Sequence, residues 1–349
     1  MAGSMPEHVH LVGSIALDSV EEVFRTAGTL LGRRLRRVPD GEPGGRRLWI
    51  SWQYPLLRAN AYLQIEMSEG TTQAGMFPKL RLADGVKSED IHFGELGYAR
   101  EARASYQDFL ASRARGELPA TARFQVCFPT PMAVIVPFCL GRDVPAIEQA
   151  YEKAMLDEVA RVCAAIPHND LAIQWDVCIE MVIWDGQLAA RYPKEGTSHA
   201  EILARLGRLG DAVPRDVELG FHLCYGDLDA KHFVEPVDST KMVELANALA
   251  SSVTHPIAFL HMPVPIARSD DAFFKPMAGL KLAPQTELYL GMVHAEDGAA
   301  GIKQRADAAG KYVRDFGIAT ECGIARQRKP ELVRKILAIH AEGSTEPAA

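Results

Sequence analysis

Short apolar runs, many of them rich in β-branched residues, recur along the chain and alternate with stretches of helical periodicity. Such runs are typical of buried strands, and apolar repeats at three and four residues are typical of amphipathic helices. The predicted strands cover residues 8–14, 62–67, 123–128, 171–176, 217–224, 256–262, 288–293 and 317–322. The predicted helical segments lie near residues 18–31, 144–166, 198–210, 238–251, 270–280, 299–316 and 330–342. Strands that alternate with helices favour a parallel sheet.

The number of these units and the chain length of 349 residues indicate an α/β fold, namely a closed (β/α)8 TIM barrel. We expect a single catalytic domain with a core of about residues 8–342 and an insertion between strands 2 and 3, over residues 68–120. The alternative is an open, doubly wound sheet. No Gly-rich phosphate-binding turn follows the first strand, which counts against that alternative. In a barrel, the carboxyl ends of the strands form the catalytic face.

The composition narrows the classes of partner. A formal net charge of -7 and a pI of about 5.9 argue against nucleic acid or an anionic membrane as the main partner. Basic residues cluster only over residues 33–47, which indicates a solvated loop or an anion-binding wall. No apolar run is long enough for a membrane span, and no signal peptide is visible. The six cysteines are dispersed, which predicts a cytoplasmic protein, and homo-oligomer formation is left open.

Four metal-binding side chains stand at predicted strand ends. His222 and Cys224 are two residues apart, so a strand presents both on one face. Cys322 ends the eighth predicted strand, and His261 ends the sixth. Any one of them alone is more simply a packed cysteine or a hydrogen-bonded histidine. As a set, imidazole nitrogens and soft sulfurs at one barrel mouth predict a tetrahedral zinc site with a position for a substrate.

The remaining cysteines are predicted to be packing residues. They lie inside a strand, on a helix face or in strand-end loops, namely Cys127, Cys139, Cys163 and Cys178. The chemistry that the zinc site favours is activation of a thiol, which zinc holds as a nucleophilic thiolate at neutral pH.

The spacing of these residues resembles the catalytic C-terminal barrel of cobalamin-independent methionine synthase, in the superfamily that includes uroporphyrinogen decarboxylase. In that family a His-x-Cys after the fifth strand, a Glu after the sixth and a Cys after the eighth bind zinc. His222-Leu223-Cys224 matches the first element and Cys322 the last. His261 falls at the position of the Glu, so the implied ligand set carries one formal negative charge less. The resemblance covers about residues 8–342 and implies zinc as the cofactor.

Further segments match the family and imply roles for the substrate pocket. Ser14, in LVGS, resembles the residue that touches the amino-acid substrate, and Glu42, in DGEP, resembles the residue that binds its ammonium group. Asp176, in IQWD, resembles the acidic residue that helps to orient the substrate. His294, in GMVHAED, lies near the position of the proton donor to the leaving group.

Simpler interpretations of the pocket residues stay open at this point. Glu42 could pair with a neighbouring arginine, Arg46 or Arg47, and Asp176 could cap a loop. Tyr225, beside Cys224, is either a donor to the substrate or a structural hydroxyl. The tryptophans close to these segments either wall an apolar pocket or belong to the core, and they are Trp49, Trp52 and Trp175.

Three functions follow from these features. The first is a zinc-dependent methyltransferase or alkyltransferase that joins a small-molecule thiol to the alkyl group of a donor, with folate use left open. The second keeps the zinc but adds the thiol to a non-amino-acid substrate or performs lyase chemistry, as in epoxide:thiol transferases. The third is a non-catalytic barrel that binds zinc or a small molecule.

Overall fold

A computed structural model describes residues 5–67, 77–228 and 230–347. Strands and helices alternate through most of this part of the chain. The strands are β1 (Arg37–Pro39), β2 (Leu63–Ile65), β3 (Leu80–Leu82), β4 (Arg123–Pro129), β5 (Leu171–Val177), β6 (Glu218–Leu223), β7 (Ile257–Pro263), β8 (Glu287–Gly291) and β9 (Phe316–Ile318). The helices are α1 (Val20–Leu31), α2 (Tyr54–Ala59), α3 (Tyr98–Ala114), α4 (Pro131–Phe138), α5 (Val144–Ala165), α6 (Ile179–Asp185), α7 (His199–Asp211), α8 (Thr240–Ser252), α9 (Asp271–Phe274), α10 (Gly298–Ala309) and α11 (Pro330–Glu342).

One curled sheet of seven parallel strands, in the order β1-β4-β5-β6-β7-β8-β9, dominates the fold. The strands predicted between residues 123 and 293 are confirmed and correspond to β4 to β8. Each is an apolar run with nearly every side chain buried, which is why its sequence predicts it. Val9 forms parallel bridges to Leu35, beside β1, and to Ile318 in β9. The segment around Val9 thus lies between the two edges of the sheet, an arrangement that is compatible with a TIM-like barrel.

Three of the predicted strands differ from the structure. Residues 8–14 contribute only the isolated bridges of Val9 and do not form a continuous strand, and the predicted strand at 317–322 is shorter, because β9 ends at Ile318. The prediction that residues 62–67 supply the second strand of the sheet is wrong, because β2 pairs antiparallel with β3 outside the main sheet. The strand beside β4 is β1 instead. Its three residues lie in the arginine-rich stretch, where the apolar pattern is too short to predict a strand.

The stretch between β1 and β4 contains α2, the β2–β3 hairpin and α3. It includes the predicted insertion at 68–120, of which residues 68–76 lie outside the described residues. The predicted helix at 299–316 is shorter in the structure, because α10 ends at Ala309 and the following Gly310 is a poor helix former.

Local sequence explains several helix boundaries. Ser19 accepts a hydrogen bond from the backbone of Glu22 and so caps α1, whose apolar face is buried. Ser198 and Glu201 form a capping box at the start of α7. In the described part of the chain, no helix combines the length and apolar character that a membrane span requires.

Polar side chains occupy the concave face of the sheet. His10 and Gln174 are hydrogen-bonded at 2.8 Å, and Gln174 also donates to Asp176 at 2.8 Å. The register places Asp176 beside His222, and His222 beside His261, on three adjacent strands. Burying polar groups costs free energy unless they are hydrogen-bonded or serve a ligand. The carboxyl ends of β5, β6 and β7 are therefore the first place to look for a functional site.

Candidate metal centre and adjoining pocket

His222, Cys224 and Cys322 converge at the carboxyl ends of the strands. His222 is an inward-facing residue of β6, Cys224 follows that strand directly, and Cys322 follows β9 by four residues. Their ligand atoms lie within 4.8 Å of one another. In the described part of the chain, this is the one group of three or more such residues with that geometry. The structure thus brings together three of the four predicted ligands.

The distances and donors of this group fit a tetrahedral metal site. The Sγ atoms of Cys224 and Cys322 are 3.7 Å apart. Zinc–sulfur bonds of about 2.3 Å at the tetrahedral angle place two sulfurs about 3.8 Å apart. Nε2 of His222 is buried and has no hydrogen-bond partner among the described residues. Because a buried polar atom normally has a partner, this nitrogen is suited to a ligand. Two sulfurs and one imidazole also form a donor set that zinc prefers.

His261 lies next to this group, with its imidazole turned toward His222. The two Nδ1 atoms are 2.6 Å apart, and both rings are buried. One Nδ1 donates and the other accepts. If His222 donates, its Nε2 carries the lone pair that a metal needs, and His261 fixes the orientation of the ring. His261 is not part of the group whose ligand atoms lie within 4.8 Å of one another.

Gly291 provides the space for the ring of His261. A side chain at this position would place its Cβ 2.9 Å from Nε2 of His261 and 2.8 Å from the carbonyl oxygen of Thr320. Burial lowers the pKa of His261 to about 3, and the Thr320 carbonyl opposes that shift. Burial also lowers the pKa of His222 well below its usual value. Both imidazoles are therefore neutral at pH 7, which is the form that binds metals.

We expect His261→Ala to weaken zinc binding by about 10–100-fold, because loss of an orienting partner leaves His222 free to rotate. The dissociation constant of zinc, measured by competition with a chromophoric chelator, checks this expectation. His340→Ala is a matched control, since His340 is equally buried but hydrogen-bonds to the carbonyl of Ile336 in α11. Unchanged zinc affinity in the His261 variant would show that the contact with His222 does not matter.

The two thiols of the group are protonated in the absence of a cation. The neighbouring thiol of Cys178 is the main cause that raises the pKa of Cys224 well above its usual value. The thiol of Cys224 and burial together raise the pKa of Cys322. A bound dication stabilises thiolates, so metal binding at this site releases protons and strengthens as the pH rises.

A small cavity adjoins the metal-binding residues and contains three of the predicted substrate-binding residues. Ser14, Glu42 and Asp176 line it together with His222, Cys224 and Cys322. The backbone carbonyl of Ser14 accepts a hydrogen bond of 2.6 Å from the amide of Ile324, which connects the segment after Val9 to the Cys322 loop. Three segments that the family resemblance selected, around Ser14, Glu42 and Asp176, thus lie beside the metal-binding group.

Asp176 is held in place by two donors. Nε1 of Trp49 donates to Oδ2 at 3.2 Å, and the amide of Gln174 donates to Oδ1. Burial raises the pKa of Asp176 to about 7, although both donors oppose this shift. Asp176 is therefore poised between its neutral and charged forms at neutral pH, and it does not cap a loop.

Glu42 is an acidic residue in the cavity without an ion-pair partner among the described residues. Arg46 pairs at 2.6 Å with Asp40 and not with Glu42. Oε2 of Glu42 is buried and lacks a hydrogen-bond partner, and burial raises the pKa of this side chain to about 8. Its φ of 54° lies in the left-handed region, which costs a non-glycine residue free energy. An unpaired acid in a strained conformation is typical of a ligand-binding residue.

Two of the predicted site residues lie away from this cavity. The hydroxyl of Tyr225 donates to Asp185 at 2.9 Å, in agreement with the structural alternative. Nε2 of His294 is 2.9 Å from the carbonyl oxygen of Val264, and its Nδ1 is 3.6 Å from a carboxylate oxygen of Glu321. Burial lowers the pKa of His294 to about 4, so this imidazole is neutral at pH 7. Neither residue lines the cavity.

The sequence analysis missed three residues whose charged or thiol side chains line the cavity. Arg326 places its guanidinium 5.5 Å from the ring centre of Trp49, and Asp227 pairs with Arg328 at 3.2 Å. Cys178 was predicted to be a packing residue, yet it also lines the cavity. Its separation of two residues from Asp176 was a signal for a shared face, whereas nothing in the sequence signals the positions of Arg326 and Asp227.

Two solved structures resemble this fold over almost the whole chain. One is described as a candidate vitamin-B12-independent methionine synthase from Listeria monocytogenes, with a TM-score of 0.56 and 12% identity over 97% of this chain and 98% of that chain. The other is a B12-independent methionine synthase from Shewanella sp. W3-18-1 in complex with selenomethionine, with a TM-score of 0.56 and 14% identity over 98% of this chain and 95% of that chain. No protein-family model and no curated protein matches the sequence. At such identities the likeness concerns the fold.

Proposed function

We propose that this protein is a zinc-dependent transferase, built on a closed (β/α)8 barrel, that activates a small-molecule thiol for transfer of a methyl or other alkyl group. The observation that carries the proposal is the His222, Cys224 and Cys322 group at the wall of a cavity that also contains the buried acids Glu42 and Asp176. Metal-binding side chains beside a cavity at the carboxyl ends of parallel strands are typical of catalytic sites. The resemblance in fold to two methionine synthase structures supports the same class of reaction.

In this chemistry the protein would hold the zinc, orient the substrate and keep water away from the substrate sulfur. Nε2 of His222 and the two sulfurs would bind the zinc, and His261 keeps the ring of His222 in position. When bound, the zinc would supply the positive charge that keeps a substrate sulfur deprotonated and nucleophilic at neutral pH. The buried surroundings of Cys224 exclude water from this sulfur.

The acids of the cavity would orient the thiol substrate. Glu42 and Asp176 would bind a cationic group such as an ammonium, and Ser14 would contact the same substrate through its backbone or hydroxyl. Nδ1 of His294 faces the carboxyl group of Glu321, which precedes Cys322. Because the imidazole of His294 is neutral at pH 7, the proton for a leaving group would come from Glu321, whose pKa burial raises to about 7, with His294 as its neighbour.

A second function has one observation in its favour. Arg326 lines the cavity and has no ion-pair partner among the described residues. A guanidinium stacked on Trp49 suits an anionic, non-amino-acid substrate, as in addition of a thiol to an epoxide or in a lyase reaction. Preference for anionic over cationic thiols would favour this second function.

Alkylation of thiols by the zinc-loaded protein tests the proposal. Small thiols are incubated with the protein and a simple methyl donor such as a trialkylsulfonium salt, and the thioether is measured by mass spectrometry. We expect the zinc-loaded chain to form thioether at least about tenfold faster than the same chain after metal removal, because the thiolate fraction rises. Equal rates with and without zinc, for every thiol and donor, would contradict the transferase proposal.

A further inference from the structure

Cys178 occupies a position equivalent to that of Cys224 on the neighbouring strand. The register pairs Val177, the last residue of β5, with Leu223, the last residue of β6. The backbone amide of Cys224 donates to the carbonyl of Val177 at 3.0 Å. Cys178 and Cys224 thus follow the same paired positions of two adjacent parallel strands, whose backbones lie about 4.8 Å apart.

Three cysteines lie at this end of the sheet. The sulfur of Cys224 lies 3.7 Å from that of Cys322, and Cys178 is near enough to Cys224 to raise the pKa of its thiol. Cys178 is fully buried and lines the same cavity as the proposed metal ligands. It stands outside the group whose ligand atoms all lie within 4.8 Å of one another, on the strand next to the one that carries His222. A change to another staggered rotamer alters the reach of a cysteine sulfur without moving the backbone.

We propose that Cys178 is the fourth protein ligand of the metal site in the absence of substrate and the ligand that a substrate thiol replaces. This inference rests on the proposed metal site. Three thiolates and a neutral imidazole would give the zinc site a net charge of -1, and His261 already hydrogen-bonds to His222. Of the side chains that line the cavity, Cys178 is the soft donor that the metal-binding group does not already contain.

The exchange of sulfurs has a defined proton balance. The bond between the metal and the Cys178 sulfur breaks, and a bond to the substrate sulfur forms. The incoming thiol gives its proton to the departing Cys178 thiolate, so no proton is released to the solvent. Without Cys178, a thiol that binds as a thiolate must release its proton.

Cobalt(II) loaded into the full-length chain tests this inference. Cobalt reports thiolate ligands through charge-transfer absorption, and a phosphine reductant avoids added thiols. We expect Cys178→Ser to lose about one third of this absorption, as three thiolates become two, and Cys139→Ser to lose none. Cys139 is equally buried but lies at the end of α4, outside the lining of the cavity. The sulfur count at the zinc X-ray absorption edge of the unmodified protein should be three, which requires no variant.

Proton release on binding of a neutral thiol to the zinc-loaded protein gives a second readout. We expect a value close to zero for the unmodified protein and close to one for Cys178→Ser, measured by calorimetry in two buffers of different ionisation enthalpy. Two sulfurs at zinc in the unmodified protein, or equal cobalt spectra with and without Cys178, would overturn the inference. If Cys224→Ser also left metal binding unchanged, the proposed metal site itself would fail, so the two failures are distinguishable.

Discussion

Cys224→Ser and Cys322→Ser will each lose most of the zinc that the unmodified chain binds, with affinity reduced by at least about 100-fold. The physical reason is the donor set: each variant replaces a thiolate with a hydroxyl, which is a poor zinc ligand at neutral pH. The two sulfurs lie at the separation that a tetrahedral zinc requires, so neither is expendable. Zinc content after dialysis against a weak chelator, measured by atomic emission, checks this prediction.

The control for this experiment is Cys139→Ser, which removes a buried thiol from outside the cavity. We expect it to retain about one zinc per chain, like the unmodified protein. If the two site variants also kept full zinc and unchanged affinity, the cysteines would be packing residues, and the metal site would lie elsewhere or not exist.

Thiols that carry an amine will bind better than neutral thiols of similar size, and Glu42→Gln or Asp176→Asn will remove most of that preference. A charge-assisted hydrogen bond contributes about 1.5–3 kcal/mol, which corresponds to about 10–100-fold in binding. The unpaired, buried Oε2 of Glu42 makes this carboxyl the stronger of the two candidates. Zinc content should not change, because neither residue belongs to the metal-binding group.

The preference for amine-bearing thiols will also depend on pH, and the pKa values of the two acids determine whether it rises or falls. Burial raises the pKa of Glu42 to about 8 and that of Asp176 to about 7, so both are largely neutral at pH 6. An ammonium group binds the ionised forms, and the preference should therefore increase from pH 6 to pH 8. Calorimetric titration with cysteamine and with a neutral thiol of the same length measures it. Equal binding of the two thiols at every pH would exclude the ammonium site and favour the anionic substrate of the second function.

The fold could be predicted where the apolar pattern was long. Strands β4 to β8 are apolar runs between helices, the pattern expected of parallel strands buried on both faces. β1 could not be found, because its three residues are surrounded by arginines and its neighbours in the sheet are supplied by distant parts of the chain. The antiparallel β2 has a similar apolar pattern to a sheet strand, and only its tertiary pairing excludes it from the sheet.

The metal-binding group could be predicted because its signal is local. Two ligands stand two residues apart at a strand end, and a third stands at another strand end of the same face. The direction of the His261 ring could not be predicted, since it depends on the contact between two Nδ1 atoms and on the absence of a side chain at Gly291. The prediction that Cys178 is a packing residue used only its local sequence, whereas its proposed role depends on the register between β5 and β6.

The central claim is that a substrate sulfur binds the metal held by His222, Cys224 and Cys322. The most direct measurement is X-ray absorption at the zinc and selenium edges of the zinc-loaded protein with a selenol in place of the thiol substrate. We predict a zinc–selenium contact at bonding distance that is lost in Cys322→Ser and kept in Cys139→Ser. This prediction does not depend on the number of sulfur ligands. A zinc coordination shell that a saturating selenol leaves unchanged, with no selenium neighbour, would contradict the account.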